Sequence, residues 1–169
     1  IKGGGFHFIK FPSTCILLQH EDHGNILFDT GYAPHYFSAT KQWPYCCYRA
    51  LLKVYHCEKD SAVAQLKSQN IDPSTIDLII LSHLHADHYA GIQDFPHALF
   101  LLHEEAYQSI QVHSTSKKSN LSPWEALKKG FLPDMLPEKF SQRTKLLRQE
   151  DFSSSVRENF PFSSAHDIF

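Results

Sequence analysis

The sequence predicts an α/β fold of the mixed, α+β sandwich kind, built as one domain over residues 1–169. Three observations predict it. A hairpin pattern comes early, two short continuous apolar runs follow at 76–82 and 98–103, and capped segments with helical spacing lie between and after them. Strands alternating with helices favour a sheet layered with helices over an all-helical or all-β arrangement.

In chain order, "STCILLQH" (13–20) reads as a strand and "ILFD" (26–29) as its return. The intervening "EDHGN" is turn chemistry, with Gly24-Asn25 suited to positive φ. "TGYAPHYF" leaves the sheet at Gly31 as a loop, and the aromatic, amphipathic stretch 41–58 reads as a helical or irregular cover over apolar surface. "SAVAQLKSQN" places Ala62, Val63 and Leu66 near helical spacing behind a Ser61 or Asp60 cap. "IDLIILS" and "ALFLLH" are continuous apolar runs, as expected of strands buried on both faces. His103 then enters a short helix, "EEAYQSIQ", whose acidic residues sit at its positive end.

The later part is less regular. Residues 112–120 are polar loop material, whereas "SPWEALKKG" carries a full set of helix signals. Ser122 is the N-cap, Pro123 the first helical residue, Glu125 completes a capping box and Gly130 is the stop. "FLPDMLPEKF" is apolar and broken by prolines, fit to lie over a cleft, so 112–140 reads as an inserted helical and loop segment. The tail 141–169 is expected to add one or two strands.

Composition limits the function. Hydrophobic residues make up 42% and charged residues 20%, and the net charge of -2 supplies no field for nucleic acid or an anionic membrane. The apolar runs are far shorter than the roughly 20 residues that span a bilayer, and no signal-peptide pattern opens the chain. Cys15, Cys46, Cys47 and Cys57 form no C-x-x-C pair and read as reduced thiols of a cytoplasmic protein. A start at Ile1 and a stop at "AHDIF" read as a fragment. Twelve histidines in 169 residues make metal or proton chemistry the first thing to test.

"LSHLHADHYAG" concentrates that excess. His83, His85, Asp87 and His88 fall within six residues, directly behind an apolar strand. In extended chain, residues two apart project to one side, so His83 and His85 can offer imidazoles to one cation. A following helical start would swing Asp87 and His88 towards a second point. Neutral imidazole and carboxylate are the donors that zinc and related divalent ions favour. The alternative is a set of surface or capping histidines.

"SHLHADH" resembles the H-x-H-x-D-H motif of the metallo-β-lactamase superfamily of metal-dependent hydrolases, and "ILFDTG", "NIDPSTIDLIILSH" and "YAGIQDFPHALFLLHEEAY" fall in that family's order over roughly residues 13–110. The resemblance implies an αββα sandwich with its metals at one edge between two sheets, here ending before the second half of the second sheet. It implies that His83, His85, Asp87 and His88 are metal ligands, that Asp29 supports their loop from behind, and that a complete site takes two zinc ions or other divalent cations. Asp87 would also act in catalysis, holding the second metal and passing a proton to the leaving group. The layout is most similar to the lactonase-like branch. That implies a small-molecule ester, lactone or thioester as substrate, hydrolysed by a zinc-activated hydroxide.

A phosphodiesterase or nuclease using the same metals is the rival, as is a non-catalytic metal-binding protein. The Gly-His phrase that supplies the family's third histidine is absent, and His166 in "SSAHDIF" does not match it. His35 and Tyr36, just beyond the Asp-Thr-Gly turn, and Tyr89 after the motif are candidates to line the substrate mouth.

Overall fold

The computed structural model describes residues 11–110 and 119–152. Its centre is a five-stranded sheet in sequence order: β1 (Ile16–His20), β2 (Gly24–Phe28), β3 (Ile76–Leu81), β4 (Leu99–His103) and β5 (Thr144–Leu147). β1 and β2 form the expected antiparallel hairpin, and β2 to β5 run parallel. Parallel neighbours need crossovers, and helices supply them: α1 (Pro34–Ala39), α2 (Cys46–Leu51) and α3 (Ala62–Ser68) before β3, α4 (Ala86–Tyr89) before β4, and α5 (Glu104–Ser109) and α6 (Pro123–Lys128) before β5.

Local chemistry explains most boundaries. Gly24 takes φ +70 at the hairpin. Asn25, by contrast, belongs to β2, where its side chain accepts from Gln19 and donates to Thr75 Oγ1 at 2.9 Å. Ser61 caps α3 by accepting from the Ala64 N–H, and Ser122 and Glu125 close the capping box on α6, which Gly130 ends at φ +63. His103 caps α5, its Nδ1 accepting from the Glu105 N–H. The expected loop after Gly31 instead becomes a helix from Pro34. Proline preorganises a first helical turn, and Tyr36 and Ala39 anchor this one in the core.

The two faces of the sheet differ. Leu27, Ile79, Leu81, Phe100 and Leu102 lie on one face and join the main core with residues from the helices. The opposite face carries Ile16, Leu18, Ile26, Phe28, Leu78, Ile80, Leu99 and Leu101, all apolar, and stays outside that cluster. Ile16 is 50% exposed and Leu99 55%. On that face Ile26 and Leu101 are buried and Leu78 and Ile80 half-buried, so the expected burial of β3 and β4 on both faces is met only in part. A mixed sheet with helices on one face and an apolar, partly exposed second face matches an incomplete αββα sandwich.

The segment after α6 is core, not a loose cover. Phe131, Leu132, Met135, Leu136 and Phe140 are buried in the main cluster. Tyr89 ties them down, donating its hydroxyl to Leu132 O at 2.9 Å and accepting the Leu132 N–H at 2.8 Å. Arg143 fastens the start of β5: its guanidinium donates to Phe95 O and Ala98 O and lies 4.6 Å from the Phe100 ring centre. The polar loop read at 112–120 falls mostly outside the described residues, as do His166 and all but the start of the tail.

Candidate metal centre

The histidine motif leaves the carboxyl end of β3, beside the carboxyl end of β2, where the crevice of a parallel sheet opens. Asp29 occupies that neighbouring strand end. It is buried and holds φ 56, a left-handed conformation that Asp tolerates better than most residues. Its own N–H donates to Ile80 O at 2.8 Å, which locks it beside β3.

The Asp29 carboxylate organises the loop. Oδ1 accepts the Ser82 N–H at 2.8 Å, while Oδ2 accepts the Ser82 hydroxyl at 2.7 Å and the His88 Nδ1–H at 2.7 Å. With Nδ1 donating to a carboxylate, the His88 proton sits on that nitrogen and Nε2 keeps a free lone pair. Thr30 completes the support: its N–H donates to His88 O at 2.7 Å, and its hydroxyl accepts the Gly91 N–H at 3.1 Å. Ser13 Oγ donates to Asp87 O, pinning the start of α4 from the other side.

These supports bring the four motif side chains together. The His83 and His88 ring centres lie 4.1 Å apart, and those of His83 and His85 4.5 Å. Donor atoms meet in two pairs. His83 Nε2 faces His85 Nδ1 at 3.0 Å, and His88 Nε2 faces Asp87 Oδ2 at 3.4 Å. Two tetrahedral zinc ligands at ordinary bond lengths sit about 3.3 Å apart, so both spacings and the donor chemistry fit divalent cations. Among the described residues, however, no group of three or more His, Cys, Asp or Glu is arranged to hold a metal ion. What is present is two half-sets.

Electrostatics favour the same chemistry. Burial pushes the His83 pKa below its ordinary value, helped by the neighbouring His88 and His85 imidazoles and opposed by Asp29 and Asp87. A neutral ring retains the lone pair that a metal ligand needs. Tyr32 and Tyr48 are pushed up by burial first and then by the Asp87 charge, so both phenols stay protonated beside that carboxylate.

The candidate mouth residues are placed differently. Tyr36 and Tyr89 are fully buried and pack in the core, which leaves them no surface to offer a substrate. His35 is half-buried and bonds through Nε2 to Asp94 Oδ1 at 2.7 Å, tying α1 to the turn after α4. Sequence reasoning missed Ser82, Thr30, Tyr32 and Tyr48 near the motif. Ser82 and Thr30 adjoin residues that were singled out, so their position was the available signal. Tyr48 sits in the aromatic stretch read only as cover. All four cysteines are free, three of them half-buried and Cys57 exposed.

A mixed sheet with a histidine-rich loop at its strand ends is shared with a known superfamily. The sequence profile of the Metallo-beta-lactamase superfamily matches residues 9–107, more than half of the chain, and the protein belongs to that superfamily. Membership carries dependence on divalent metal, often zinc. Curated relatives include N-acyl homoserine lactonase AttM of Azorhizobium caulinodans, 37% identical over 110 residues, covering 63% of this chain and 40% of the relative. N-acyl homoserine lactonase AiiB of Agrobacterium fabrum is 27% identical over 100 residues, 59% of this chain and 35% of the relative. Among solved structures, a point mutant of B. thuringiensis AiiA with N-decanoyl-L-homoserine at its active site superposes with TM-score 0.56 at 21% identity, over 85% of this chain and 49% of that one. The chain thus spans less than half the length of these relatives. No helix among the described residues is long and apolar enough to cross a membrane.

Proposed function

We propose that the protein is a hydrolase that opens a lactone, or cleaves a related ester or thioester, at a dinuclear zinc site. The observation that carries the reading is the pairing of donors: His83 with His85, and Asp87 with His88. In this reading the first pair holds one cation and the second pair the other. Bound there, divalent cations supply Lewis acidity and lower the pKa of a water towards neutrality. Asp29 keeps the His88 proton on Nδ1, so that Nε2 faces the site. With Oδ2 on the cation, the other carboxylate oxygen of Asp87 would orient the attacking water, take its proton and return it to the leaving oxygen. The buried backing of Asp29 and Thr30 holds the loop rigid, as transition-state stabilisation by fixed groups requires.

The lactone substrate class is supported by the names of AttM and AiiB and by the absence of any strongly basic character in the chain. A second reading, metal binding without turnover, has one observation in its favour: no third donor joins either pair among the described residues. Zinc content, together with rates on an acyl-homoserine lactone, a simple ester and a phosphodiester, decides between them. Lactone or ester turnover lost on chelation is the expected result. Phosphodiester cleavage alone would refute the carbonyl chemistry, and a metal-free protein in excess zinc would refute the site. With no third donor beside either pair among the described residues, the chain is expected to bind zinc weakly; two tightly held zinc ions and ester turnover would contradict that.

A further inference from the structure

The four motif residues are not secured alike. His88 is hydrogen-bonded to Asp29 and Ser82, and His83 Nδ1 lies 3.0 Å from Ser82 Oγ. Among the described residues, the His85 imidazole has one hydrogen-bond partner, His83. It is also the most solvent-exposed of the three imidazoles. Something else must fix its ring if Nδ1 is to stay aimed at His83.

The structure places Gly130 in that role. A Cβ built on Gly130 would fall 2.8 Å from His85 Cδ2, 3.3 Å from Nε2 and 3.4 Å from Cγ. The backbone at the stop of α6 therefore lies against the Cδ2–Nε2 edge of the ring, away from Nδ1. We propose that Gly130 is a positioning residue for the second motif histidine: its missing side chain lets the end of α6 brace the His85 imidazole by contact, with Nδ1 presented to the site. Left-handed φ at a helix stop already favours glycine. The ring contact is a second, independent demand on the same position. It also gives the 112–140 segment a part in the site, since α6 is set by its capping box and by the buried Phe131 and Leu132 behind it.

The inference rests on the metal reading for one arm of its test only. Gly24 supplies the control, because it too has positive φ (+70) but a Cβ there meets nothing closer than Asp77 Oδ2 at 3.5 Å. In the metal-free chain, Gly130→Ala should shift the His85 ring carbon and nitrogen resonances, whereas Gly24→Ala should leave them in place. In the presence of zinc, Gly130→Ala should weaken affinity about tenfold or more, as loss of a supporting contact to a ligand does. The loss of melting temperature caused by Gly130→Ala should shrink once His85 is already Ala. If Gly130→Ala alone fails to fold, the His85→Ala/Gly130→Ala double variant should fold. Unchanged His85 resonances, an equal melting loss in both backgrounds, or an unfolded double variant would overturn the proposal. A chain that takes up no zinc would sink the functional reading while the resonance and double-variant arms still decide this one.

Discussion

The two halves of the motif are held by different forces. The His88 half is held by polar bonds from a buried carboxylate just past the end of β2, with Asp29 accepting two hydrogen bonds from Ser82 and one from His88. The His85 half stands in solvent, steadied by one imidazole contact and by the backbone of Gly130. Their tolerances therefore differ. A buried charge bonded to several donors is expensive to disturb, while a contact brace fails only when something is added to it. One loop of six residues thus draws on a strand for one side and on a helix far along the chain for the other.

Asp29→Ala should break the polar side with the largest effect. It removes three hydrogen bonds and leaves a non-glycine residue at positive φ without its stabilising side chain, a loss of roughly 3 kcal/mol or more in denaturant unfolding. An Asp29→Ala chain as stable as the parent would erase the distinction between the halves. Gly130→Ala comes next on stability. Left-handed backbone alone costs about 1–2 kcal/mol, and the crowding of His85 adds to it. The same unfolding measurement should rank it below Asp29→Ala. Asp87→Ala separates stability from chemistry, because its side chain is 40% exposed and its contact with His88 Nε2 is long, at 3.4 Å, while Ser13 holds the backbone carbonyl. Stability should change by no more than about 0.5 kcal/mol. Hydrolysis by the complete enzyme should disappear, and an active Asp87→Ala enzyme would remove the catalytic assignment.

The smallest effect is at the capping box of α6, the element that delivers Gly130. Two hydrogen bonds from Ser122 hold the Glu125 carboxyl below its ordinary pKa of 4.5. A depressed folded-state pKa contributes stability that is present above 4.5 and is lost as pH falls through the lower folded value. Glu125→Gln should flatten that acid dependence slightly, as read from amide exchange in α6. No difference between the variants above pH 4.5 would show that the box does not steady the brace.

Much of this arrangement is legible in the sequence. Continuous apolar runs mark β3 and β4, the box and Gly130 mark α6, and "DTG" with "HLHADH" marks the site and its supporting carboxylate. Those features are local, each written in a few adjacent residues. What is missed is long-range. Tyr36 lies just past the Asp-Thr-Gly turn and Tyr89 directly after the motif in sequence, yet their rings turn inward, since a large apolar ring gains more from burial than from a wet mouth. Gly130 reads as a helix stop, and nothing in "LKKGFL" reveals that the stop rests on His85, 45 residues earlier. The proline-broken run after it looks like a flap because prolines interrupt its periodicity. Its buried side chains are nevertheless placed by short turns rather than by a helix.

The outer face of the sheet has a practical consequence for anyone handling this polypeptide. Leu18, Leu99 and Ile16 form part of a greasy plane that water must wet, and contiguous apolar surface of that kind attracts other nonpolar molecules. In its native state the chain should light up a hydrophobic dye such as anilinonaphthalene sulfonate. Replacing Leu99 with lysine should dim that fluorescence and improve solubility while leaving the histidine loop untouched.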